Sequence, residues 1–110
     1  MPLPIAMRTT LTLLATLTAA SSLAGAQPAP RRPLGARDVD DIARLVMLED
    51  RRTLDTATIG ALLGAEHPEV RRRAAIAVGR IADRRGLALL RARPLDADTA
   101  VAASTVFAVG

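Results

Sequence analysis

The sequence predicts an all-α fold built from stacked helix pairs, and three observations carry that prediction. Half of the residues are apolar, yet they are mainly Ala, Leu and Val, with a single aromatic, Phe107. Ala and Leu favour helix, whereas strands would draw more on β-branched and aromatic residues. From Asp38 onward, helix start and stop signals alternate at short intervals. The chain also matches itself when shifted by thirty-one residues.

The first twenty-six residues, "MPLPIAMRTTLTLLATLTAASSLAGA", read as an export signal and not as part of the fold. Arg8 supplies the positive start, and Leu11–Ala20 is an apolar core interrupted by Thr. Ala24-Gly25-Ala26 then forms an A-x-A cleavage pattern ahead of Gln27. Met7 offers a tighter alternative start. A membrane anchor would need roughly 20 apolar residues, and this stretch is shorter and dotted with Thr and Ser. The chain has no cysteine, so a lipid anchor, disulfides and thiolate chemistry are all excluded. The expected mature chain is exported, to the periplasm or outside the cell, after cleavage between Ala26 and Gln27.

Residues 27–37, "QPAPRRPLGAR", contain three prolines and no periodicity, and read as a flexible lead-in. Helical repeats are expected over 38–110. Asp38 is the expected N-cap of the first helix, with Asp40 and Asp41 in a first turn where the helix dipole favours anions. Val39, Ile42, Leu45, Val46 and Glu49 follow at helical spacing, and "RRT" breaks the helix. Asp55 caps a short second helix with Ile59, Leu62 and Leu63, which Gly64 stops.

A third helix begins at Pro68, where the missing N–H costs nothing, and His67 caps it or lies in the turn before it. Val70, Ala74, Ala77, Val78 and Ile81 form one continuous face. Asp83 and Gly86 are expected to close it, with "LALLRAR" as a short partner ended by Pro94. Asp96 or Asp98 then starts "TAVAASTVFAVG". The shift of thirty-one places Val70 on Val101, Ala74 on Thr105, Ile76 on Phe107, Ala77 on Ala108 and Gly79 on Gly110. Backwards, it places Val39 under Val70 and Leu45 under Ile76. Such a pair cannot bury its apolar face alone, but can when stacked.

The stretch "HPEVRRRAAIAVGRIAD" is similar to the bacterial HEAT-like repeat, D-x-x-V-R-x-x-A-A-x-A-L-G-x-I-x-D. Val70, Arg71, Ala74, Ala75, Ala77, Gly79, Ile81 and Asp83 occupy matching positions. Val78 replaces the usual Leu, and His67 the usual Asp. The next copy matches at Asp98, Val101, Ala108 and Gly110, with Ala102 in place of the Arg; the copy at Val39–Asp50 is degenerate, as befits a capping unit. The resemblance covers 38–110 and implies an α-solenoid of about two and a half units, in which Arg71 reaches an acid at the start of a neighbouring unit. Gly110 matches Gly79, after which the earlier helix continues, so the array is expected to run on past this chain.

Fifteen arginines against eleven acids, with no Lys, give a net charge of +4. On a helical wheel Arg73, Arg80 and Arg84 form a stripe along one flank of the apolar face. Its ordinary reading is a solvated border; its functional reading is a ridge for anions or a partner. With export expected and one aromatic available for stacking, nucleic acid is not an expected ligand. His67 is the sole imidazole, with no partner for a metal site or a catalytic set. The acids Asp38, Asp40 and Asp41, like Asp96 and Asp98, are read as helix-start residues and not as a cation site. Gly79 and Gly110 are read as places of close helix approach.

No catalytic site and no cofactor are expected in this chain. The resemblance implies an exported scaffold mediating protein–protein interaction. The alternative is the N-terminal repeat region of a larger exported enzyme, such as a cyclophilin-type peptidyl-prolyl isomerase. Residues 1–110 hold no Arg set beside aromatics for such a pocket. A peripheral module on anionic membrane, using Arg73, Arg80 and Arg84, is a third reading.

Overall fold

The computed structural model of the chain describes residues 31–110. The expected export signal, its cleavage point and most of the lead-in lie outside the described residues. The described chain is all-helical, with α1 (Ala36–Asp50), α2 (Thr56–Leu63), α3 (Pro68–Ile81), α4 (Arg84–Arg91) and α5 (Thr99–Val109). Among these residues no helix is long and apolar enough to cross a membrane.

The helix starts follow from short side chains that satisfy the N–H groups of the first turn. Asp55 accepts from Thr58 N at 3.0 Å, and Asp98 accepts from Ala100 N and Val101 N at 2.9 and 3.1 Å. Two starts differ from expectation. Helix α1 begins at Ala36, with Gly35 as N-cap, so Asp38 sits in the first turn and reaches back to accept from Gly35 N at 2.9 Å. Glycine is nearly as good an N-cap as Asp, which lets the helix gain residues upstream.

The second difference lies between α3 and α4. Helix α3 ends at Ile81, with Ala82 left-handed at φ 56°, and Asp83 caps α4 by accepting from Arg85 N at 2.8 Å. Gly86 therefore does not close α3; it is buried in the first turn of α4. A Cβ there would stand 3.1 Å from both Leu54 Cδ1 and Val78 Cγ1, so its small size lets α4 approach. The turn after α1 is also left-handed, at Arg52 (φ 47°). Arg52 N donates to Glu49 O and Thr53 N to Leu48 O, at 3.0 Å each, which closes the helix end.

The long helix α3 packs against all four others; α1 and α5 flank it, and the short helices α2 and α4 touch each other. The core lies between the long and short helices. Leu45, Ile59, Val70, Ala74, Ala75, Ala77 and Val78 are fully buried, joined by Leu48, Leu62, Leu63, Ile81 and Leu90. Val101 is buried as its match Val70 is, but Val39 is half exposed, so the first copy departs from the pattern at its leading residue.

Candidate functional site

Helix α3 carries most of the residues that stood out in the sequence, and the structure gives several of them architectural partners. Arg71 is a three-way clasp. Its Nε and Nη2 donate to Asp96 Oδ2 and Oδ1 at 2.8 and 3.2 Å, and its Nη1 donates to the Ala65 and Glu66 carbonyls at 2.9 Å each. The loop before α3 and the loop before α5 are thereby tied to one guanidinium. Asp96 also accepts from Asp98 N at 2.9 Å. The Arg71 bonds, with Asp98 N and the nearby charges of Arg71 and Arg93 helping, hold the Asp96 carboxyl below its ordinary range.

His67 is buried and caps α3. Its Nδ1 accepts from Glu69 N at 3.0 Å, which assigns the neutral Nε2–H tautomer, and Nε2 then donates to Arg32 O at 2.9 Å. The ring thus joins the end of the lead-in to the start of α3. Two exposed caps also hold their carboxyls below the usual range: Asp55 through the backbone and hydroxyl of Thr58, and Asp83 through the side chain and backbone of Arg85.

The three arginines of the expected stripe do not share one helix. A helix continuous through residue 84 would align them, but the left-handed turn at Ala82 puts Arg84 into the first turn of α4. Arg80 remains on α3 and donates from Nη1 to Glu49 Oε2 at 2.8 Å. Arg73, also on α3, is half-buried, and Arg72 makes a bidentate pair with Glu69 at 2.9 and 2.7 Å. Sequence reading placed Glu49 on the apolar stripe without giving it a role. Its side chain is only 8% exposed, and its Oε1 has no hydrogen-bond partner. The signal for that role was a carboxylate placed thirty-one residues before an arginine.

Gly79 is a place of close approach. A Cβ there would lie 2.9 Å from Ala108 Cβ and 3.1 Å from Ala108 Cα. Its match Gly110 follows the last turn of α5 at φ +84°, with open space around it. Beside the Gly79 contact, an open groove of about 560 Å³ runs between α3 and α5, lined by Ile76, Arg80, Ala103, Ser104 and Phe107. A smaller hollow of about 280 Å³ between α1 and α2 includes Asp38, Asp41 and Glu66. Among the described residues no group of three acids or histidines is placed to hold a metal ion.

Comparison of the chain with known protein families, curated proteins and solved structures finds no match.

Proposed function

We propose that residues 38–110 are HEAT-like helix pairs and serve as a protein-binding scaffold in an exported protein. The observation that carries this reading is the Arg71 clasp. The resemblance assigns that arginine to an acid at the start of a neighbouring unit, and Arg71 makes two bonds to Asp96, just ahead of α5. His67, Asp55, Asp83 and Asp98 likewise act as caps. Arg71 thus ties the loop before α5 to α3, the caps fix the helix starts, and recognition falls to the extended concave surface that stacked helix pairs make together. Export belongs to the same reading and rests on the sequence of residues 1–26.

The test is photo-crosslinking in the exporting cell, with a photoreactive residue in place of Arg73 on the long-helix row or of exposed Ala88 on the short-helix row. A scaffold yields discrete protein adducts from one row and not from the other. Adducts with lipid alone, or none from either row, would count against it.

A further inference from the structure

We infer that His67 is an acid-operated latch between the lead-in and the start of α3. Both of its ring nitrogens face backbone groups of fixed polarity. Nδ1 meets the Glu69 N–H at 3.0 Å, which can only donate, and Nε2 meets the Arg32 carbonyl at 2.9 Å, which can only accept. A single form of imidazole satisfies both, the neutral ring with its proton on Nε2. A second proton would set an N–H on Nδ1 against the N–H of Glu69, at a helix start whose dipole disfavours positive charge. The residue is 4% exposed, so that proton finds no water where it stands. Protonation therefore expels the ring from the cap, and the Arg32 carbonyl loses its donor with it.

Among the described residues the other helix N-caps that act through a side chain are Asp55, Asp83 and Asp98. Carboxylates keep their charge down to about pH 4, whereas imidazole changes charge between about pH 5 and 8. The cap that responds in that interval is the one on α3, the helix that packs against all the others. The charged neighbours offer the extra proton no seat. Arg32 and Glu66 pair with each other at 3.3 Å, and Glu69 takes the guanidinium of Arg72. Arg71 reaches the Glu66 carbonyl and, from the loop before α5, Asp96. On the α1 side, Arg37, Asp38 and Asp41 share a hollow with Glu66, and no carboxylate bonds either ring nitrogen. The latch is thus closed while the ring is neutral and opens as pH falls through the imidazole range. The hold on residue 32 then passes to the exposed Arg32–Glu66 pair, a weak one in water.

The full chain is the material for the test, and His67 is its sole histidine, so the ring signals are unambiguous. Nitrogen NMR at about pH 7.5 should show Nε2 protonated and Nδ1 bare. Between about pH 7.5 and 5 the ring should titrate. In the same step the Glu69 amide, corrected for the intrinsic effect of pH on exchange, should lose about fivefold or more of its protection. The amides of Arg32 and Leu34 should gain fast motion together with it. His67→Asp and His67→Asn supply caps that do not titrate in this interval. Either should erase both responses, with helical circular dichroism kept at neutral pH. A ring protonated on Nδ1 at neutral pH, or one that stays neutral down to about pH 5, would overturn the inference. So would a titration that leaves the Glu69 amide unmoved, or a response that survives both substitutions.

Discussion

Arg80 Nη1 lies 2.8 Å from Glu49 Oε2, and thirty-one residues separate the two, the same offset that aligns the chain with itself. The partners are unequal: the Arg80 side chain is 63% exposed, while that of Glu49 is 8% exposed. Removing the arginine leaves a buried carboxylate unpaired, whereas removing the acid frees an arginine that water can solvate. Arg80→Ala should therefore cost about 1–3 kcal/mol, the usual penalty for an orphaned buried group. Adding Glu49→Gln should recover part of that loss. Urea unfolding of the two single variants and the double variant measures it, and additive losses would mean that the pair is not coupled.

Glycines 79 and 60 should respond in opposite directions to the same change. Both lie inside helices, where Ala is better than Gly by about 1 kcal/mol. A Cβ at Gly60 meets nothing within 4 Å, so Gly60→Ala should gain most of that amount. At Gly79 it meets Ala108 at 2.9 Å, and overpacking of this kind costs about 1–3 kcal/mol. A net loss is expected there, read as a lower melting temperature.

Arg52 and Ala82 hold left-handed backbone that suits glycine better. The strain at such a residue is about 1–2 kcal/mol. Arg52 is exposed and has no side-chain role among the described residues, so Arg52→Gly should raise the unfolding midpoint. An unchanged midpoint would show that the extra freedom of the unfolded chain offsets the relief.

Arg71 and Asp96 should give the fold an acid-sensitive component. The carboxyl of Asp96 is held low chiefly by the Arg71 bonds. Its contribution is therefore complete above the unfolded-chain value, about 3.9, and disappears as pH falls through the lower folded value. Arg71→Gln should lose about 1.5–3 kcal/mol at neutral pH, the range for hydrogen bonds to charged groups. It should also flatten the fall in stability below about pH 4. Parallel acid titrations followed by circular dichroism compare the two slopes.

Val78 is fully buried between α3 and α4. Val78→Asp places a charge there without a partner, and a loss of several kcal/mol is expected. An unchanged melting curve would contradict the assigned face.

Local signals were legible in the sequence. Asp55, Pro68 and Asp98 announce helix starts because a cap involves only residues two or three apart. Boundaries without a decisive residue were not. Nothing in "IADRR" forces Ala82 left-handed, so helical periodicity alone joins Arg84 to Arg73 and Arg80 across the break. Gly35 gave no sign that α1 would start ahead of Asp38. The Arg71 clasp was legible only through the resemblance, since its acid lies twenty-five residues away. The groove between α3 and α5 depends on how far Gly79 lets two backbones close, and no local pattern encodes that distance.

Helix α3 packs against every other described helix. Such a hub cannot open without releasing all of its neighbours, whereas a flanking helix can detach alone. The slowest-exchanging backbone amides should thus sit in α3 and report complete unfolding, and those of α1 should exchange sooner by local opening. Tolerance to substitution should follow the same gradient. The outward positions of α1 are free to drift, while a fault at Val70, Ala74 or Val78 is felt by the whole assembly of helices.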